Sequence, residues 1–381
     1  MTRRPVVAHV LNAMGLGGVP RVAWELMRRL PADRFDLRAY SMRRAAGEED
    51  ARDALRASIE AHGVPVAFPR ATGSLLVVAD LCDWLVREEV DLVHTHSYRP
   101  NLQGRLAALT LRDTGTRIVA HYHSAHDDKR EAEGTLTLER RLTAATDRVI
   151  ACSRATGDHV AELLGVPPDR LTVVPNAVDV ERFAGADRAA ARAALGISGE
   201  RPVVALVGRI DEQKGQDDYV RAAPMVRAAH PDALLLLVGS TAKDDVSAPV
   251  RDLIRAEGVE DVVRFTGYLD DMPGLYAAID VLAAPSRSEG FGLMLVEAMA
   301  AGVPIVASAA GAIPEVVGEG PALLIAPRDP AALAAAIVRV LDDRAAAAAM
   351  AAAGRERARA FSWERSAATL EGVYDEVLAG R

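Results

Sequence analysis

Short runs of aliphatic and β-branched residues recur along the chain, and each is followed by a longer stretch whose apolar positions return every three or four residues. Val6–Leu11, Phe35–Tyr40, Val64–Phe68, Leu92–His94, Ile118–His121, Val149–Ala151 and Leu171–Val174 form one series. Val203–Val207, Leu234–Val238, Val262–Thr266, Val281–Ala284, Ile305–Ala307 and Ala322–Ile325 form a second. Continuous apolar runs alternating with helical patterns predict parallel strands covered on both faces. The fold class is therefore α/β, with two Rossmann-like doubly wound halves. Between the series, Asn176 to Gly199 carries no strand pattern and reads as the crossing from one half to the other. Pro20 is pre-set for the first helical turn, so the first helix is expected from there to about Leu30. Ser153 reads as a helix N-cap and Gly165 as that helix's left-handed stop. Alanine-rich 331–350 keeps Leu, Ile and Val at helical spacing and reads as terminal helices, not low complexity.

Length and charge narrow the picture. A chain of 381 residues exceeds what one hydrophobic core usually supports, so two domains are expected. No apolar run of about 20 residues and no basic-apolar leader is present, which predicts a soluble cytoplasmic protein. Cys82 and Cys152 are the only cysteines, too few for a disulfide framework, and read as buried small residues. The net charge of −8 gives nucleic-acid binding no support.

The chemistry gathers in loops that follow strands, where open α/β sheets bind their ligands. In the run from Pro285 to Pro304, Gly290 and Gly292 allow close backbone approach. The helix opening near Gly292 and Leu293 presents N–H groups and a positive dipole end suited to an anion. Glu289 lies in the turn. Glu297, flanked on its own helical face by Leu293, Ala300 and Ala301, should point inward and needs donors such as sugar or ribose hydroxyls. After Val207, Gly208 permits close approach while Arg209 and Lys214 suit a diphosphate. Gly17 and Gly18 follow the first strand, but Pro20 occupies the place of a third glycine, which argues against a dinucleotide fingerprint. Two histidine-rich loops are expected, His94-Thr-His96 through Arg99, and His121-Tyr-His123-Ser124 through His126 and Asp127. Zinc binding is the obvious rival reading, yet His-x-His at a strand end does not by itself assemble four ligands.

Four motifs in order resemble the retaining GT-B glycosyltransferases of family 4. They are Glu289, seven residues and Glu297; Gly208-Arg209 with Lys214-Gly215; Pro175-Asn176-Ala-Val-Asp179; and Phe361-Ser-Trp363. The resemblance spans nearly the whole chain. It implies two domains facing a central cleft, with residues 1–178 joined by the last helix, 362–381, and 179–361 as the donor domain. It further implies a nucleotide-diphosphosugar donor, UDP being commonest in such families, and a hydroxyl acceptor on a glycan, a lipid-linked glycan or a small natural product. Arg209 and Lys214 would bind the leaving diphosphate with the amides of Gly292 and Leu293. Glu297 would hold the ribose and Glu289 the sugar. Gly208, Gly239, Tyr268, Gly290 and Phe291 would complete the donor site, with Gly17 and Gly18 bordering it. His123 aligns with the histidine beside the transferred sugar, and His96, Arg99 and Ser124 are the acceptor candidates. Gly311-Ala-Ile-Pro314-Glu315 resembles a turn that supports the Glu289 loop.

No cofactor and no metal are expected, because no Asp-x-Asp element follows a strand; the nucleotide-sugar is a co-substrate in carbohydrate biosynthesis. Arg28-Arg29 and Arg43-Arg44 would touch an anionic membrane if the acceptor is a lipid, and otherwise are solvated faces. A GT-B sugar-nucleotide epimerase and a catalytically silent nucleotide-sugar-binding protein are the alternatives.

Overall fold

A computed structural model describes residues 3–15, 17–43, 49–70, 73–124, 133–240 and 244–380. Arg44, His126 and Asp127 lie outside the described residues. The chain forms two compact units, Met1–Ala177 with Trp363–Arg381, and Val178–Ser362.

The first unit holds β1 (Val6–Leu11), β2 (Asp36–Ser41), β3 (Val66–Ala67), β4 (Leu92–His96), β5 (Arg117–Tyr122), β6 (Arg148–Ala151) and β7 (Leu171–Val173). Every pairing is parallel and the order is β3-β2-β1-β4-β5-β6-β7. The order reverses between β1 and β4, the place where a doubly wound sheet leaves a crevice at its carboxyl edge. One face packs Ala8, Val10, Val93 and Ile118 against Leu81, Trp84 and Leu85 of the helix Ser74–Arg87. As expected, Ser153 caps its helix, accepting from Thr156 N at 3.0 Å, and Gly165 ends it at φ 70°. The first helix begins earlier than Pro20, at Gly18, and ends at Met27. The last helix, Trp363–Ala379, belongs to this unit: Ser366 donates to the Pro175 carbonyl (2.7 Å), and the Arg29 guanidinium lies 5.7 Å from the Trp363 ring centre. Arg28 and Arg29 both pair with Glu25. Cys152 is buried, whereas Cys82 keeps partial exposure.

The second unit holds β8 (Val203–Val207), β9 (Leu234–Val238), β10 (Val263–Gly267), β11 (Val281–Ala284), β12 (Ile305–Ser308) and β13 (Ala322–Ile325). These too are all parallel, in the order β10-β9-β8-β11-β12-β13. Alternate strand residues Val204, Leu206, Leu235, Leu237, Val281 and Val306 bury against Tyr219, Val226, Leu333 and Ile337 from the covering helices. The predicted crossing contains two short helices, Val180–Phe183 and Arg188–Ala194, and no strand. The alanine-rich stretch forms the helices Pro330–Asp342 and Arg344–Ala358. Among the described residues no helix is long and apolar enough to cross a membrane.

One expectation needs correction. His94, His96 and His121 are not loop residues, because β4 continues through His96 and β5 through Tyr122. The parallel ladder carries them along: His9 pairs with His94 across β1 and β4, and His96 with His121 across β4 and β5. All four are fully buried.

Candidate active site

At the carboxyl edge of the second sheet, close backbone contacts come first. Gly208 N donates to the Val238 carbonyl (2.9 Å) and Gly239 N to the Gly267 carbonyl (3.0 Å). A Cβ on Gly239 would lie 2.0 Å from the Gly208 oxygen, so these turns can pack only with glycine there. Beyond Gly208, Asp211 accepts from Gln213 N (3.0 Å) and starts a single 3-10 turn, Glu212–Lys214, ahead of the helix Gln216–Ala229. Lys214 therefore lies in this turn rather than in the helix. Its methylene stem runs over Gly208, whose missing side chain leaves the space. Its ammonium reaches Glu289 Oε2 at 2.5 Å, bringing together two residues 75 positions apart. Arg209 projects outward, 78% exposed, with Asp211 3.5 Å away, while Gln216 holds the Arg209 carbonyl at 2.7 Å.

The Glu289 loop is held from two sides. Gly311, at φ 53°, packs beneath it so closely that a Cβ would sit 2.4 Å from the Glu289 carbonyl, and Ala312 N donates to that oxygen (2.9 Å). On the other side Arg287, which sequence reasoning missed, donates to Asp217 (2.6 and 2.8 Å), Asp218 (3.2 Å) and the Glu212 carbonyl (2.9 Å). Burial pushes the Asp217 carboxyl up, but hydrogen bonds from Arg287 and Arg221 outweigh it and hold the group below its ordinary range. Burial, then the neighbouring Asp217 charge, raises Asp218. This network locks the loop to the turn that carries Lys214.

Gly292, at φ 83°, ends the loop and begins the helix Leu293–Ala301, whose N-terminus no side chain caps. Phe291 is buried, its ring 5.4 Å from that of Phe361, so only its backbone can serve a ligand. Glu297 accepts from Tyr276 Oη at 3.0 Å, a second partner the sequence did not disclose. Burial, then the Glu297 charge, raises the Tyr276 phenol well above its ordinary value and keeps it a donor. Tyr268 follows β10 and is half exposed.

The carboxyl edge of the first sheet carries different chemistry. Gly17 and Gly18 are exposed at the start of the first helix, and Arg99 is partly exposed beyond β4. Burial, then Arg43, lowers the Arg99 guanidinium's pKa. His123 and Ser124 stand just past β5, partly buried. Behind them lies a cluster of His9, His94, His96, His121 and His123. Ring centres are 3.9 Å apart for His121 and His123, and 4.2 Å for His94 and His96. Burial lowers all five; His9 and His123 fall to about 3. Neutral imidazole is the metal-binding form, and the ring nitrogens of His9, His94 and His96, and of His96, His121 and His123, lie within 4.8 Å of one another. The close pairs are stacked, however, so their in-plane lone pairs run side by side instead of converging on one point. His9 and Tyr374 are the members that sequence reasoning missed. A histidine inside the apolar run Val6–Leu11 was the available signal for the first.

Comparison with known proteins finds relatives along most of the chain. The model for Glycosyltransferase Family 4 matches residues 16–182 and that for Glycosyl transferases group 1 matches 187–357. The chain is 34% identical over 319 residues to a D-inositol 3-phosphate glycosyltransferase of Kineococcus radiotolerans, covering 76% of this chain and 72% of that one. It is 33% identical over 315 residues to the protein of that name from Salinispora tropica, of which the match spans 64%. Among solved structures, Anabaena Alr3699/HepE in complex with UDP-glucose superposes with a TM-score of 0.83 at 24% identity, covering 99% of this chain and all of that one. Sucrose-phosphate synthase from Thermosynechococcus elongatus gives 0.82 at 24% identity over the full length of both. Two all-parallel Rossmann-like units, the paired glutamates with Lys214, and both family matches lead to one statement: the chain belongs to the group 1 glycosyltransferases, family 4, and has the GT-B fold.

Proposed function

We propose that the protein transfers a sugar, with retention of configuration, from a nucleoside diphosphate donor to a hydroxyl acceptor. The observation that carries this is the Lys214 ammonium set against Glu289 beside an uncapped helix N-terminus. A cation, an exposed guanidinium at Arg209 and the Gly292–Leu293 amides suit a diphosphate, and carboxylates at Glu289 and Glu297 suit sugar and ribose hydroxyls. During transfer the bond from the sugar's anomeric carbon to phosphate oxygen breaks and one to the acceptor oxygen forms. The acceptor's proton passes to the leaving diphosphate. Charge grows on that diphosphate, so fixed donors aimed at it stabilise the transition state without a carboxylic acid or a required metal. Gly208, Gly239, Gly290, Phe291 and Tyr268 would shape the base and phosphate pocket. The first unit would recognise hydroxyls through His123, Ser124, His96, Arg99 and the Gly17–Gly18 turn. UDP is the favoured nucleotide, supported by the similar Anabaena structure solved with UDP-glucose. Inositol 3-phosphate is the first acceptor to assay, supported by the relatives' name.

Thermal-shift titration with UDP, GDP, ADP and their sugar conjugates, with and without EDTA, tests the donor site, since a ligand of the folded state raises apparent stability. Stabilisation by one nucleotide series that survives EDTA is expected. Arg209→Ala and Lys214→Ala should each lower kcat/KM by about 10²- to 10³-fold. Near-normal transfer in both variants would refute the phosphate assignment, and turnover without any acceptor would favour an epimerase.

A further inference from the structure

We propose that Tyr374, acting through His9 and His96, holds His123 in the tautomer whose proton is on Nε2, leaving Nδ1 without one.

Four contacts form one unbroken chain. His94 Nδ1 stands 2.6 Å from Tyr374 Oη, and that oxygen stands 3.1 Å from His9 Nε2. His9 Nδ1 is 3.0 Å from His96 Nε2, and His96 Nδ1 is 3.2 Å from His123 Nε2. A neutral imidazole has one donor and one acceptor nitrogen, and a phenol has one proton to give. Once the phenol proton is given to one of its two histidine neighbours, the direction of every other bond follows. Hydroxyl donors approach their acceptors more closely than N–H donors do. The 2.6 Å contact is thus the phenol donating to His94 Nδ1, and the 3.1 Å contact is His9 Nε2–H donating to the phenol oxygen. His9 Nδ1 is then bare and accepts from His96 Nε2–H, and His96 Nδ1 in turn accepts from His123 Nε2–H. Only one of the two possible polarities survives.

The two ends are alike in burial: His94 Nε2, which carries the terminal proton, and His123 Nδ1 are both covered and have no hydrogen-bond partner among the described residues, although the His123 side chain as a whole is partly exposed past the end of β5. Neither end therefore receives a contact that would set the direction of the chain, which leaves the phenol of Tyr374 as its reference. Tyr374 is a positioning residue: it lies on the last helix, and its ring is wedged 5.6 Å from that of Phe35. The tautomer does not depend on the transferase reading above.

The test uses the full-length protein without ligand, labelled with ¹⁵N-histidine, and reads each ring's protonated and bare nitrogens by long-range proton–nitrogen correlation at neutral pH. His123 should show its proton on Nε2 in one dominant form. In Tyr374→Phe, which keeps the ring but removes the hydroxyl, the chain loses its reference and the Nδ1–H form of His123 should rise to a comparable population. His96→Gln, which cuts the link next to His123, should do the same and serves if the first variant does not fold. A wild-type His123 protonated on Nδ1, or an unchanged tautomer in a folded variant, would overturn the proposal. A correct tautomer in a protein that transfers no sugar would sink the transferase reading alone.

Discussion

The two units share one strand plan and place their candidate chemistry at the same edge, yet they build it from opposite materials. In the second unit the working groups are charged, partly exposed and paired with one another, as in Lys214 with Glu289 and Arg287 with Asp217 and Asp218. Glycines with no room for a Cβ bring the backbone close enough for those pairs to form. In the first unit the clustered histidines are uncharged, stacked and largely buried, joined through alternating donors and acceptors. Charged groups near water keep their charge at modest cost, whereas burial penalises the charged form and leaves histidine neutral. The charged edge suits an anion and the neutral one a hydroxyl, as the proposed function requires.

That contrast breaks most readily in acid. The unfolded chain's histidines protonate below about pH 6.5, whereas His9 and His123 in the folded chain resist until about pH 3. Their contribution to stability is constant above about pH 6.5 and falls as pH drops below it, by up to about 1.4 kcal/mol per pH unit for each histidine. Urea midpoints should decline from pH 7 to pH 5. Hydrogen exchange after incubation at pH 5 should show the first unit losing protection before the second. Equal loss in both, or loss beginning in the second, would dissolve the comparison.

A smaller effect tests the glycine-built edge. Gly239→Ala must push apart two backbone turns and should cost about 2–3 kcal/mol, read as a lowered Tm, with weakened nucleotide binding in the folded fraction. A wild-type Tm in that variant would show that the edge is not packed as described. The smallest expected change is in Tyr276→Phe, which removes a hydrogen bond to the Glu297 carboxylate worth about 1.5 kcal/mol. Its mark should be a raised donor KM with little change in kcat, because Glu297 faces the ribose in the proposed site. An unaltered KM would separate Glu297 from donor binding.

Much of this was legible in the residues. Both strand series stood out because parallel strands buried on two faces are uninterrupted apolar runs, and the second unit's candidate site was traced because its groups sit on short loops at fixed spacing. Arg287 escaped notice because an arginine in a polar loop has no periodicity; only its ion pairs with Asp217 and Asp218 distinguish it from a solvated one. The histidines were visible as residues and misplaced as loops, since imidazole in a run such as His94-Thr-His96 weakens the apolar signal by which a strand is recognised. Tyr374 lies 280 positions from His94, and its helix reads like any other amphipathic one.

The sequence by itself determined the class of fold, the division into two α/β series and the residue types available to bind a diphosphate, because hydrophobic periodicity and loop motifs are local properties of the chain. Tertiary structure alone decided that Lys214 meets Glu289, that Tyr276 faces Glu297, and that His9, His96, His123 and Tyr374 join in one chain of hydrogen bonds. Those contacts depend on strand register and on which helix covers which sheet face. Both are set by packing between segments far apart in the chain, for which no local pattern stands.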